Sequence, residues 1–378
     1  MFISKRRQTS LLIFTISILV LVGPGGCGPS TADLHAVDYT PLPGDDWKVS
    51  TPGEQGLDPR LVAELYHSAA ELKTLYGLLV IKNGYLIAEK YFNEGAVDRK
   101  NQLQSATKSF TSALVGIALD QGCLASVDQK MVDFFPEIAG QTSDPRKEQI
   151  TIRDMLQMRA GYPDEETDPA LFEALLSGDY LPLIIHFPLV SDPGAEFHYS
   201  GLTSHWLGVV VARACGTDLK SFAQEHLFTP MDAEVGDDWI RDRDGYYIGL
   251  AGMHVRARDM AKLGLLYLNN GEHEGSQIVS ADWVQDSLQT YSRDARNNIG
   301  RFRDIGYGYQ WWSASIGDQR VNFAWGHGGQ LIFLLDEFDM VIVTIADPFW
   351  QQHSDESWKH ERAAFNLVDK FIGSLPSE

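Results

Sequence analysis

Long apolar runs are scarce in this chain of 378 residues. The clearest, Leu11 to Val22, falls short of the roughly 20 residues that an ordinary membrane-spanning helix needs. Positive charge is also in short supply. Against 51 Asp and Glu there are 31 Lys and Arg, for a formal charge of −20. A nucleic-acid partner is thereby excluded, since phosphate binding needs a basic surface; the acidity reads as a solubility feature. Cysteine is limited to three residues, and nothing has metal-site spacing. His273-Glu274 lacks a second histidine in register, so neither metal nor cofactor is expected. No Gly-x-Ser-x-Gly elbow and no motif of a Ser-His-Asp triad occurs, which disfavours that class of serine hydrolase. Internal repeats are absent.

At the start of the chain, Lys5-Arg6-Arg7 precedes the apolar run, and Cys27 follows it, leading into Gly28-Pro29-Ser30-Thr31. A basic region and a short apolar region make a secretory signal. Residues 1–26 are expected to be a signal peptide and 27–45 a tether. Two alternatives stand: lipidation of Cys27 as a membrane anchor, favoured by Gly26 but not by Pro24, or ordinary cleavage between Gly28 and Ala32. In both, the protein is exported to a bacterial cell envelope. Cys123 and Cys215 would then meet an oxidising compartment, either as a disulfide or as two buried thiols.

Asp58-Pro59 opens a helix expected over Leu57 to Leu72. Asn83-Gly84 between two apolar runs marks a hairpin. A second hairpin is expected from Gln330 to Leu335 and back from Met340 to Ala346, followed by a helix from about Trp358 to Ile372. Strands thus lie at both ends, whereas Ser105 to Met231 reads as helices and loops. The economical arrangement is an α+β fold. Residues 46–104 and 232–378 form one discontinuous domain around an antiparallel sheet, and a mostly helical domain, 105–231, is inserted. A site would lie in the cleft between them.

Ser105-Ala106-Thr107-Lys108 opens a segment expected to be helical to about Gln121, with Phe110, Leu114 and Ile117 on one face. Residues three apart on a helix share a side, so Ser105 and Lys108 can act as nucleophile and base. Free N–H groups at a helix start would favour a developing oxyanion. The tetrapeptide alone is common, and its weight comes from two later elements in order. Tyr199-Ser200-Gly201 follows a Pro193-Gly194 turn, and a phenol there can share a proton with an amine. His327-Gly328-Gly329 leads straight into an apolar strand, where glycines permit close approach of a substrate. The oxyanion would sit between the N–H groups of Ser105 and Gln330, with His327, Gly328 and Gly329 facing the substrate. Trp311, Trp312 and Trp325 could line the pocket, but core packing is the better reading.

Together these elements resemble the serine β-lactamase-related superfamily, in the branch of class C β-lactamases, D,D-peptidases, β-lactamase-like carboxylesterases and aminohexanoate-oligomer hydrolases. Asp154-Met155-Leu156-Gln157-Met158-Arg159-Ala160-Gly161 and Gly252-Met253-His254-Val255-Arg256-Ala257-Arg258-Asp259 extend the resemblance over nearly all the chain after residue 50. It implies a β-lactamase/transpeptidase-like fold and acyl transfer through Ser105, with Lys108 and Tyr199 as the proton shuttle. Two departures stand out. The family's Tyr-x-Asn is Tyr199-Ser200-Gly201 here, and its Lys-Thr-Gly is His327-Gly328-Gly329. The lost amide and the lost permanent cation point towards hydrolysis of a small ester or amide. A true β-lactamase or D,D-carboxypeptidase is the alternative, and a catalytically silent envelope binding protein the second. Substrate and oligomeric state are not encoded in any motif.

The precursor is expected to be processed so that the mature chain begins between Cys27 and Ala32. Mass spectrometry of the membrane fraction distinguishes a lipidated Cys27 from a free amino terminus. An intact terminus on a cytoplasmic protein would remove the export assignment.

Overall fold

Alternation of apolar side chains along the central strands gives the sheet two buried faces, and each face dictates a layer. A computed structural model describes residues 29–138, 140–351 and 354–376; the expected signal peptide and Cys27 lie outside them. Strands β1 (Leu75–Lys82), β2 (Tyr85–Tyr91), β3 (Arg303–Tyr307), β4 (Trp312–Ile316), β5 (Gln319–Gly326), β6 (Gln330–Leu335) and β7 (Met340–Ala346) form one sheet. It has seven strands in the order β2-β1-β7-β6-β5-β4-β3, each pair antiparallel. β1 from the first third of the chain pairs with β7 near its end, Leu79 opposite Val343. Side chains that are odd along β1, Leu79 and Ile81, join Ile332, Val341 and Val343 in one core. Their neighbours Leu78 and Val80 join Phe333 and Ile342 in the other. That is the period-two pattern of a sheet covered on both sides.

Helices α1 (Pro59–Ala69) and α5 (Asp355–Ile372) cover the second core with Tyr66, Phe365 and Val368. Helix α4 (Ala257–Leu268) lies on the opposite face, against β1, β6 and β7. Beyond it packs a helical layer with α2 (Thr107–Asp120) and α3 (Gly201–Cys215) at its centre. Local chemistry sets the ends. The Asp58 side chain accepts from the Arg60 N–H ahead of Pro59, which starts α1 later than its apolar pattern. Ser354 caps α5 by accepting from the Ser357 N–H, so that helix begins three residues before the expected Trp358. Asn83 and Gly84, with φ of 52° and 75°, make the tight β1–β2 turn.

The start of α2 differs from expectation. Ser105 sits on a single 3₁₀ turn, Gln104–Ala106, and the α-helix proper begins at Thr107. Gln104 enters that turn with φ of 49°, and the Ala106 N–H closes it on the Leu103 carbonyl at 3.1 Å. The chain is therefore wound more tightly around the serine than a regular helix would be.

A disulfide joins Cys123, just after α2, to Cys215, the last residue of α3, and resolves the alternative between bridge and thiols. It closes a loop with a sequence separation of 92. Restricting so long a loop in the unfolded chain is worth about 2–5 kcal/mol. Cys215→Ser should lower Tm accordingly, and reductant should lower that of the wild type but not of the variant. Equal melting of oxidised and reduced wild type would show that the bridge carries no such weight.

Candidate active site

The 3₁₀ turn ahead of α2 and the first turn of α2 present Ser105 and Lys108 three residues apart, at the foot of a cavity of about 580 Å³ that also exposes Tyr199, Glu165, Arg296 and His327. The Lys108 ammonium donates to Ser105 Oγ at 2.8 Å and to the Leu250 carbonyl at 3.1 Å. Its side chain is buried, and Nζ stands 4.8 Å from the centre of the Tyr199 ring. Tyr199 lines the same cavity as that serine, whose hydroxyl favours the phenolate form. Burial pushes that phenol above its ordinary value, against the opposing pull of the Lys108 charge. The expected serine, lysine and tyrosine thus meet at one cavity, the lysine bonded to the serine and facing the tyrosine ring.

Tyr199 is held by a second loop. Its N–H donates to Asp164 Oδ2 at 3.2 Å, and its carbonyl accepts from the Glu165 N–H at 2.9 Å. Two residues on, the Gly201 N–H donates to Glu165 Oε2. Burial raises the Glu165 carboxyl above its ordinary value, with the Lys108 charge and the Gly201 N–H pulling the other way. Above this lies Arg296, whose guanidinium faces the rings of Trp325, Trp312 and Tyr199 at 4.8, 5.2 and 5.5 Å. Both Glu166 oxygens accept from it at 2.7 Å.

The sheet edge supplies the other wall. Gly326 ends β5 directly against the Ser105 turn. A Cβ there would fall 2.1 Å from the Leu103 carbonyl oxygen and 3.0 Å from the Ala106 nitrogen, so only glycine admits this approach. His327 follows and lines the cavity, but its ring is already engaged. Nδ1 lies 3.0 Å from Glu361 Oε2, Nε2 lies 2.7 Å from Ser357 Oγ, and the ring packs on Trp358.

Several expectations are corrected here. Gln330 is fully buried and does not line the cavity; it faces Gly326 across the hairpin, and its side chain bonds to Ala346 on β7. Both β5, through Gly326, and β6, which begins at Gln330, approach the serine turn, so the main-chain role expected of Gln330 is untouched by the burial of its side chain. Gly328 and Gly329 do not face the cavity either. Added Cβ atoms would meet the Asp347 carbonyl in one case and Ala364 and Ala346 in the other, so these glycines serve packing under α5. Trp311 is core, as expected, but Trp312 and Trp325 present edges to the cavity. Glu165, Arg296 and Glu361 went unnoticed in the sequence. They lie in polar loops or on a helix whose periodicity says nothing about a distant cleft.

A seven-stranded antiparallel sheet with this helical layer and a serine, lysine and tyrosine meeting at the cleft defines a β-lactamase-like serine hydrolase fold and site. The sequence model of the beta-lactamase family matches residues 76–346, and the chain belongs to that family. Among curated relatives it is 27% identical to the 6-aminohexanoate-dimer hydrolase of Paenarthrobacter ureafaciens over 296 residues, 74% of each chain. Among solved structures, a mutant of simvastatin synthase from Aspergillus terreus aligns with a TM-score of 0.64 at 17% identity, covering 82% of this chain and 95% of its own. A penicillin-binding protein from Bacillus halodurans aligns at 0.62 and 17%, covering 82% and 100%. At such identities the structural likeness is one of fold.

Because the native fold holds the Glu165 proton more tightly than the unfolded chain does, its ionisation removes stability as pH rises through the native pKa. Glu165→Gln should therefore raise Tm relative to wild type at pH ~7. The gain should vanish near pH ~3.5, below the ordinary Glu value of about 4.3. Calorimetry at the two pH values checks this; a gain that does not change with pH would mean that charge burial is not the cause.

Proposed function

We propose that this protein is a serine hydrolase that cleaves an ester or amide of a small molecule through a covalent ester on Ser105. The observation that carries the reading is the Lys108 ammonium 2.8 Å from Ser105 Oγ, with the Tyr199 ring centre 4.8 Å from the same Nζ. With the Lys108–Tyr199 pair one proton short of ammonium plus phenol, Ser105 Oγ attacks the carbonyl carbon and its proton passes to that pair. The two share that proton, so it belongs to the pair. The oxyanion is held by the N–H groups of Ser105 and Gln330, the latter at the start of the strand that approaches the serine turn. The pair then protonates the departing alcohol or amine. Water attacks the acyl ester, gives its proton to the pair, and frees Ser105.

Two observations favour this over a β-lactamase or D,D-carboxypeptidase. A carboxylate, Glu165, occupies the space beside Gly201, and Glu361 lies 3.0 Å from His327. Acidic groups therefore stand where a carboxylate-bearing substrate with an acyl amide needs a cation and an amide donor. The hydrogen-bonded Ser105–Lys108 pair is the feature that a silent binding protein has no need to keep.

A fluorophosphonate should label Ser105, and Ser105→Ala should abolish turnover without unfolding. Hydrogen bonds to charged groups are worth about 1.5–3 kcal/mol each. Two missing anchors should therefore leave short-chain aryl esters with a kcat/KM about two to four orders of magnitude above that of nitrocefin. Equal turnover of both would reinstate the β-lactamase reading.

A further inference from the structure

The cavity carries three carboxylates, Glu165, Glu166 and Glu361, and two of them are fully occupied. Both oxygens of Glu166 accept from Arg296. Glu361 accepts from Trp325 Nε1 at 2.9 Å and from the Gly328 N–H at 2.6 Å, and lies 3.0 Å from His327 Nδ1. The neighbouring Asp164 is likewise taken up, by the N–H groups of Tyr199 and Glu166. Glu165 differs. Oε2 takes the Gly201 N–H, and among the described residues nothing donates to Oε1. The carboxyl group fills the space that a side chain at 201 would need, since a Cβ there would lie 2.4 Å from Oε2. That oxygen is not sealed off; it opens on the cavity, where a substrate donor can reach it.

We propose that Glu165 is a specificity-determining residue, whose Oε1 accepts a hydrogen bond from a protonated amine carried by the substrate next to its scissile carbonyl. The proposal rests on Ser105 as nucleophile and narrows the substrate class. Glu165 is tied to the strip of chain that carries Tyr199, and both line the cavity with Ser105. The Tyr199 carbonyl accepts from the Glu165 N–H, and the Gly201 N–H donates to the Glu165 carboxylate. A small acyl group bound at Ser105 lies beside that strip. A carboxylate accepts hydrogen bonds and donates none. It therefore rejects a carbonyl placed there and favours an N–H. The charge lining the cavity agrees: three carboxylates face Arg296 and the His327 ring, while Lys108 is buried beneath. Arg296 is already matched by Glu166.

The test compares isosteres. Glycinamide, whose amine is largely protonated at pH 7, and propionamide differ by an ammonium for a methyl group. Each is used to protect Ser105 of the wild type from a fluorophosphonate. Glycinamide should protect at least tenfold more effectively, and Glu165→Gln should reduce the difference to less than threefold. In turnover, the kcat/KM ratio of glycine methyl ester to methyl propionate should fall at least tenfold in the same variant. Labelling with equal protection by the two amides overturns the role of Glu165 alone, and the wild type decides this even if the variant fails to fold. Absence of labelling overturns the nucleophile and the proposal with it.

Discussion

An ammonium buried at the junction of α2 and the cavity is the constraint around which the rest of this site is arranged. Taking Lys108 out of water costs several kcal/mol unless partners replace its hydration. Ser105 Oγ, the Leu250 carbonyl and the face of Tyr199 supply that replacement, and the Glu165 charge adds an electrostatic partner. Each of these groups comes from a different part of the chain. The lysine thus ties the start of α2, the loop before α3, the 164–166 loop and the stretch before α4 to one point. In the same place, loss of the partner network would leave an uncompensated charge, so the cluster is held as a unit.

The cleft's two walls meet their demands by different means. On the sheet side, Gly326 brings β5 into contact with the serine turn, while Glu361 on α5 gathers Trp325, Gly328 and His327 around one carboxylate. The turn carrying His327 is therefore fixed from behind by the C-terminal helix. On the other side, two polar loops are joined by the Arg296–Glu166 pair over aromatic rings. Arginine suits this position because its planar fork binds a carboxylate bidentately while its face stacks on an indole.

How much of this was legible in the sequence follows from the range of each interaction. The two hairpins were visible because turn residues and alternation are local signals, and the structure pairs Leu335 with Met340 as the pattern required. Ser105 and Lys108 were legible because helical spacing is local too, although the 3₁₀ turn at Gln104 was not. Tyr199 depended on motif order. The misassigned or unnoticed groups turn on tertiary context: Gly328 and Gly329 pack away from the cavity, Trp312 and Trp325 are both core and cavity wall, and Glu165 is defined by a glycine 36 residues away. The Cys123–Cys215 bridge needed the parallel placement of two helix ends, which no spacing reveals.

The division between what was legible and what was not has a physical basis in how such a scaffold varies. The nucleophile and its lysine sit on a 3₁₀ turn and the helix that continues it, against a sheet edge, where a small displacement would break a hydrogen bond of 2.8 Å. The groups that surround the substrate sit mainly on loops, which tolerate substitution as long as charge and backbone hydrogen bonds balance. Here the balance is visible at one position. Gly201 leaves a space that a side chain would have filled, and a carboxylate from another loop has moved into it, bonded to the glycine's own N–H. A change of that kind preserves the packing and the placement of Tyr199 but exchanges an amide's donor for an acceptor. In a site walled by Trp312 and Trp325, where the effective dielectric is low, such an exchange changes which substrate dipole is favoured while leaving the acyl-transfer chemistry at Ser105 intact.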